Sequence, residues 1–113
     1  MSEELSVISS TYEIYKKLIE LSSAIDKKYR FSICETSIQT CTDLLEQLIL
    51  AKHAPKPHKA TYLISAETKA ELLALQLRII LEMKLVNETN VLKLHAKLTE
   101  ARRQIGGWRR SVR

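Results

Sequence analysis

The chain has 113 residues and a mass of 13.0 kDa, enough for one domain with one core and too little for a multidomain enzyme. It is 45% hydrophobic and 27% charged, with a net charge of +5, a balance that fits a folded chain and excludes disorder throughout. Two glycines and two prolines cannot supply the turns of a sandwich or barrel of this length, so the fold class is all-α.

Residues 1–9 are polar apart from Leu5, Val7 and Ile8 and read as a flexible N-terminal segment before a folded unit spanning 10–113. Ser10 and Glu13 form a capping box, after which Ile14, Leu18, Leu21 and Ile25 recur on one face, so the first helix is expected over about 10–26. Ser32 and Glu35 repeat the box. A second helix then carries Cys34, Ile38, Cys41, Leu45 and Leu48, flanked by Ile33, Ser37, Leu44 and Ala51, and stops before Pro55 and Pro57. The third helix is expected to start between Lys59 and Ser65 and to reach about Leu85. One of its faces holds Leu63, Ala66, Ala70, Leu73, Leu77 and Ile80. A second holds Leu72, Leu75, Ile79, Met83 and Val86. A surface helix needs only one apolar face, so the second calls for a central position or for cover by another subunit. Asn87 is the expected N-cap of the fourth helix, where Val91, Leu94, Leu98, Ala101, Ile105 and Trp108 form a heptad-like seam. Four helices of about 17 to 23 residues with short connections predict an antiparallel up-down four-helix bundle about 25 to 35 Å long.

No uninterrupted apolar run approaches the ~20 residues of a membrane span; Glu46, Gln47, Arg78 and Glu82 break the best candidates. The first residues lack the basic flank and apolar stretch of a secretory signal, and two cysteines make no disulfide framework, which points to a reducing cytoplasm. Cys34 and Cys41, about 10 Å apart along one helical face, are expected as small core residues.

Charge is uneven along the chain. Residues 1–54 hold six basic and eight acidic side chains, residues 55–113 twelve and five. Arg102, Arg103, Arg109, Arg110 and Arg113 follow one another with no acid after Glu100, the footprint of a polyanion partner or of a solvated basic face. Lys56, Lys59 and Lys69 join the candidate nucleic-acid contacts on local charge alone. Arg78, between Leu77 and Ile79, is either a rim arginine paired with Glu82 at i+4 or a phosphate or protein contact. Trp108 reads as a packing anchor, and Gly106-Gly107 as a close approach or a helix end.

Catalytic and metal-binding patterns are missing from the sequence. His53, His58 and His95 show no metal-ligand spacing, and no arginine has a histidine four to six residues behind it, as a HEPN-type ribonuclease would need. Gly106-Gly107 follows a helix and lacks the Lys-Ser/Thr of a phosphate loop. No metal, cofactor or catalytic residue is expected.

Several segments, taken in order, carry a resemblance. Asp26-Lys27-Lys28-Tyr29-Arg30-Phe31, His58-Lys59-Ala60, the Leu72–Ile80 segment with Arg78, and Ile105-Gly106-Gly107-Trp108 together resemble the accessory variability determinant (Avd) proteins of diversity-generating retroelements. Related bundle proteins are encoded in intervening sequences of large ribosomal RNA genes. The resemblance implies a homopentameric barrel of four-helix bundles and a non-catalytic role. Such a protein binds a reverse transcriptase together with template RNA or cDNA, in support of mutagenic cDNA synthesis. It carries over Arg78 as a basic contact and Trp108 as a packing residue, and gives the second face, with Leu72, Leu75, Ile79 and Met83, a place between protomers. A modest charge and an acidic second helix (Glu35, Asp43, Glu46) depart from the family pattern. The alternatives are therefore the ribosomal intervening-sequence type and a structural adaptor oligomer with no nucleic-acid role.

Overall fold

The structure, a computed structural model, describes residues 3–112 and the side chains of residues 6–112. Its elements are α1 (Glu3–Ser22), a short α2 (Lys27–Tyr29) that passes through a π-helical turn (Arg30–Cys34) into α3 (Glu35–His53), then α4 (Lys56–Glu82) and α5 (Glu88–Ser111). No strand occurs among the described residues.

The first helix starts at Glu3, seven residues before the expected cap at Ser10. Val7, Thr11, Ile14 and Leu18 form one buried line at helical spacing. The polar member costs nothing, because the Thr11 hydroxyl donates to the Val7 carbonyl at 2.8 Å, satisfying itself inside the helix. Most of the segment read as flexible is therefore the opening of α1; Met1 and Ser2 lie outside the described residues. At the other end α1 stops at Ser22, and Ile25 is buried from the connection.

Ser32 and Glu35 do not form a cap either. Asp26 caps the helix start instead, accepting from the Lys28 amide, while the Ser32 hydroxyl donates to the Tyr29 carbonyl. The π turn that follows rotates the register entering α3. The buried line of α3 runs through Ser37, Thr40, Cys41, Leu44, Leu48 and Ala51, so Leu44 lies on the core axis and Ile38 and Leu45 on its flank. Ser37 and Thr40 send their hydroxyls to the carbonyls one turn back.

Pro55 and Pro57 begin α4, several residues before the expected start. Pro55 is the N-cap and Pro57 lies in the first turn, where a missing N–H leaves no bond unmade and a fixed φ suits the helix. The 27-residue α4, about 40 Å at 1.5 Å per residue, makes the molecule longer than expected, 44 × 22 × 19 Å. It closes in a Schellman motif: Leu85 N–H donates to Ile80 and Lys84 N–H to Leu81, with Lys84 left-handed at φ 54°, where glycine is usual. Asn87 then caps α5 by accepting from the Asn90 amide.

Four long helices pack into an up-down bundle, with α1 and α4 each against α3 and α5 and diagonal to one another. Leu18, Leu44, Leu73 and Leu98, one from each, lie in the shared core. The heptad seam of α5 is buried throughout, from Val91 to Trp108. This order places the C-terminal ends of α3 and α5 beside the N-terminal ends of α1 and α4.

Candidate functional site

Both cysteines are free and buried. Burial pushes the Cys41 thiol up to about 12, and raises that of Cys34 with a smaller opposing effect from the Arg30 charge, so neither is a ready thiolate. Among the described residues no group of three or more His, Cys, Asp or Glu could hold a metal ion. No helix among them is long and apolar enough to cross a membrane.

Five of the eight basic residues singled out in the sequence are occupied by the protein itself. Arg78 Nε donates to Glu82 Oε2 at 2.8 Å on the surface of α4. Lys59 Nζ donates to the Ala51 and Lys52 carbonyls at 2.8 and 3.0 Å, closing the open end of α3. Lys69 reaches Asp43 of α3 at 3.7 Å. Arg103 grips Glu100 through Nε and Nη2, and that guanidinium holds the Glu100 carboxyl below the usual range. Arg109 Nε donates to Glu67 Oε1 across α5 and α4.

Lys56, Arg102 and Arg110 make no ion pair among the described residues, yet they differ in setting. Arg102 lines a recess shared with Glu67 and Glu71, where a phosphate would meet carboxylates. Lys56 and Arg110 stand at the end of the bundle where α3 closes with Lys52 and His53 and α5 with Arg109 and Arg110. This end gathers cations from three helices, while Glu3 opens α1 beside them. Arg113 lies outside the described residues.

The second face of α4 is open to solvent. Leu72, Leu75, Ile79 and Met83 are 42 to 51% exposed, and they lie about opposite the buried line Leu63–Ala66–Ala70–Leu73–Leu77–Ile80. Ile64, 56% exposed, extends this face by two turns through Thr68. The sequence reading passed over it because the break at Thr68 hides an i, i+4, i+8 series. At the far end Met83 meets Tyr29, Ile33 and Thr36 in a shallow cleft. Only Val86 of the second face turns inward against the core.

Trp108 is 4% exposed at the end of the α5 seam. Gly106 neither ends the helix nor takes a positive φ. Its bare Cα leaves room for the Arg110 guanidinium, 3.3 Å from where a Cβ would stand, and for the Glu67 carboxylate at 3.7 Å. Missed in the sequence were the partners Glu67 and Asp43, whose roles depend on contacts 42 and 26 residues away. Comparison of the chain with protein-family models, with curated proteins and with solved structures finds no match.

Proposed function

We infer that this protein is a non-catalytic accessory subunit. It assembles through the outward face of α4 and holds nucleic acid on basic surfaces for a reverse transcriptase, in the manner of a diversity-generating retroelement. The observation that carries the reading is the solvent-facing row Ile64, Leu72, Leu75, Ile79 and Met83, on the side of α4 away from its core face. A contiguous apolar face of this length marks an interaction surface. Sealing it between copies stabilises an assembly at ~25 cal/mol per Å² of apolar area removed from water. Repetition of a +5 chain multiplies the field that attracts phosphodiester strands. The homopentamer and the retroelement partner rest on the resemblance of the Leu72–Ile80 and Ile105–Trp108 segments.

The test is binding of single-stranded RNA as a function of salt, followed by co-purification with the reverse transcriptase under nuclease treatment. Affinity falls steeply between low and moderate salt, and replacing Lys56 and Arg110 together by Gln weakens it without loss of helicity. Absence of binding at low salt counts against the reading. A second reading, an adaptor oligomer with no nucleic-acid role, is favoured by the five basic residues already held by carboxylates and carbonyls. It expects the same assembly and a nuclease-resistant protein partner, with no retention on RNA.

A further inference from the structure

A recess of about 360 Å³ lies between the C-terminal half of α1 and the N-terminal half of α5. Its floor is apolar, with Leu21 and Leu94, and its rim carries Lys17, Asn90, Lys93 and Lys97. Glu20 is the one acid that lines it, and Lys17 takes that carboxylate at 3.3 Å. Lys93 and Lys97 make no ion pair or hydrogen bond among the described residues. The acid within reach of Lys97 along α5, Glu100, is held at both oxygens by Arg103. Several cations elsewhere on the bundle are paired, Lys16 with Glu13, Lys69 with Asp43, Arg78 with Glu82 and Arg109 with Glu67, and the unpaired Lys56 and Arg110 stand at the opposite end, away from this recess. Here Lys93 and Lys97 stand one turn apart, a like-charge i,i+4 pair that repels along the helix, and both border one concavity.

We propose that this recess is a phosphate-binding subsite in which Lys93 and Lys97 hold the oxyanion and the Asn90 side-chain amide donates a further hydrogen bond. A phosphate group matches the site chemically. It offers several acceptor oxygens to two ammonium donors that line the same recess, and its charge relieves their repulsion. The apolar wall limits water on one side and strengthens the attraction beyond that of a flat surface. The recess is also larger than a bare phosphate, leaving room for the sugar that carries one. None of its residues belongs to the basic end or to the α4 face. The group has two sources, a nucleic-acid backbone or free phosphate; the backbone source rests on the nucleic-acid reading above.

The experiment compares the full chain with Lys93→Gln/Lys97→Gln, both residues being exposed, so that the fold survives. Inorganic phosphate is titrated in amide NMR spectra, and a single-stranded oligouridylate is bound in fluorescence anisotropy across a salt series. For free phosphate, saturable shifts at residues 20–24 and 90–97 disappear in the double variant. For the backbone source, oligouridylate affinity drops about tenfold at low salt in the variant and the salt slope falls by roughly 0.7, the contribution of one phosphate on a single strand. Either response supports the subsite, and the arm that responds names the source. A variant matching the parent in both arms overturns it. If oligouridylate binds parent and variant alike, the subsite fails while the accessory reading stands. If the parent ignores oligouridylate but shows lysine-dependent phosphate shifts, the reverse holds.

Discussion

Arg109, in the last turn of α5, donates its Nε–H to the Glu67 carboxylate of α4, joining residues 42 positions apart. Both side chains are about one-third exposed (31% and 34%), which puts the pair between a screened surface bridge and a buried one. Glu67→Gln keeps the shape and removes the charge. The expected loss is about 1 kcal/mol, read as a lower urea midpoint with unchanged slope, and smaller at high salt. An unchanged midpoint at low salt would show that the contact contributes nothing.

Lys84 occupies a left-handed position that the Schellman motif of α4 requires. A side chain there costs roughly 1 kcal/mol against glycine. Lys84→Gly therefore raises stability by about that amount, even though glycine has the larger unfolded-state entropy. Thermal unfolding measures it, and a lower Tm would contradict the cap geometry.

Trp108 is the chain's one tryptophan, and it is buried at the end of the α5 seam. The expected outcome is a blue-shifted emission, weakly quenched by iodide, in the folded protein. Trp108→Ala costs roughly 3 to 5 kcal/mol, the range for deleting a large core side chain. Red-shifted, freely quenched emission would place the indole at the surface.

Cys41 gives the protein a pH limit on the alkaline side. Burial raises the folded-state value from 9.0 to about 12, so the folded chain keeps a proton that the unfolded chain releases. Stability from this group is complete below pH 9 and is lost as pH rises from 9 towards 12. Replacing Cys41 by Ala flattens the alkaline fall in Tm, although it lowers Tm at neutral pH by leaving a small void. Alkylation at pH 8 labels Cys41 only at the rate at which the bundle opens. Labelling as fast as for an unfolded peptide would contradict its burial.

The sequence made the bundle legible where periodicity was clean. In α5 the Asn87 cap and the line from Val91 to Trp108 are local signals, and both elements are where the spacing puts them. In α1 the Ser10–Glu13 capping box misled, since the helix starts at Glu3 and its buried line runs from Val7 through Thr11. Only the Thr11 hydrogen bond to Val7 reveals that a hydroxyl belongs in the core. Along the π turn and α3, Cys34, Cys41 and Leu48 are buried where the spacing puts them, while Ile38 and Leu45 give way on the core axis to Ser37 and Leu44, which were read as its flank. Among the basic residues, the i+4 partner of Arg78 could be seen in the sequence. The Lys59 cap on α3 and the Arg109–Glu67 pair could not, since helices must dock before those partners meet. The open face of α4 was visible because a 27-residue helix displayed two apolar lines where packing uses one, although the break at Thr68 hid Ile64.

The central claim is that copies of this chain cover the outward face of α4. Sedimentation equilibrium at micromolar concentration tests it, run beside Leu75→Glu, which sets a charge in the middle of that face. The parent is expected at a multiple of its 13.0 kDa chain mass, five-fold for the pentamer, while the variant sediments as a single folded chain. A parent that stays at 13.0 kDa across the concentration range would contradict the account.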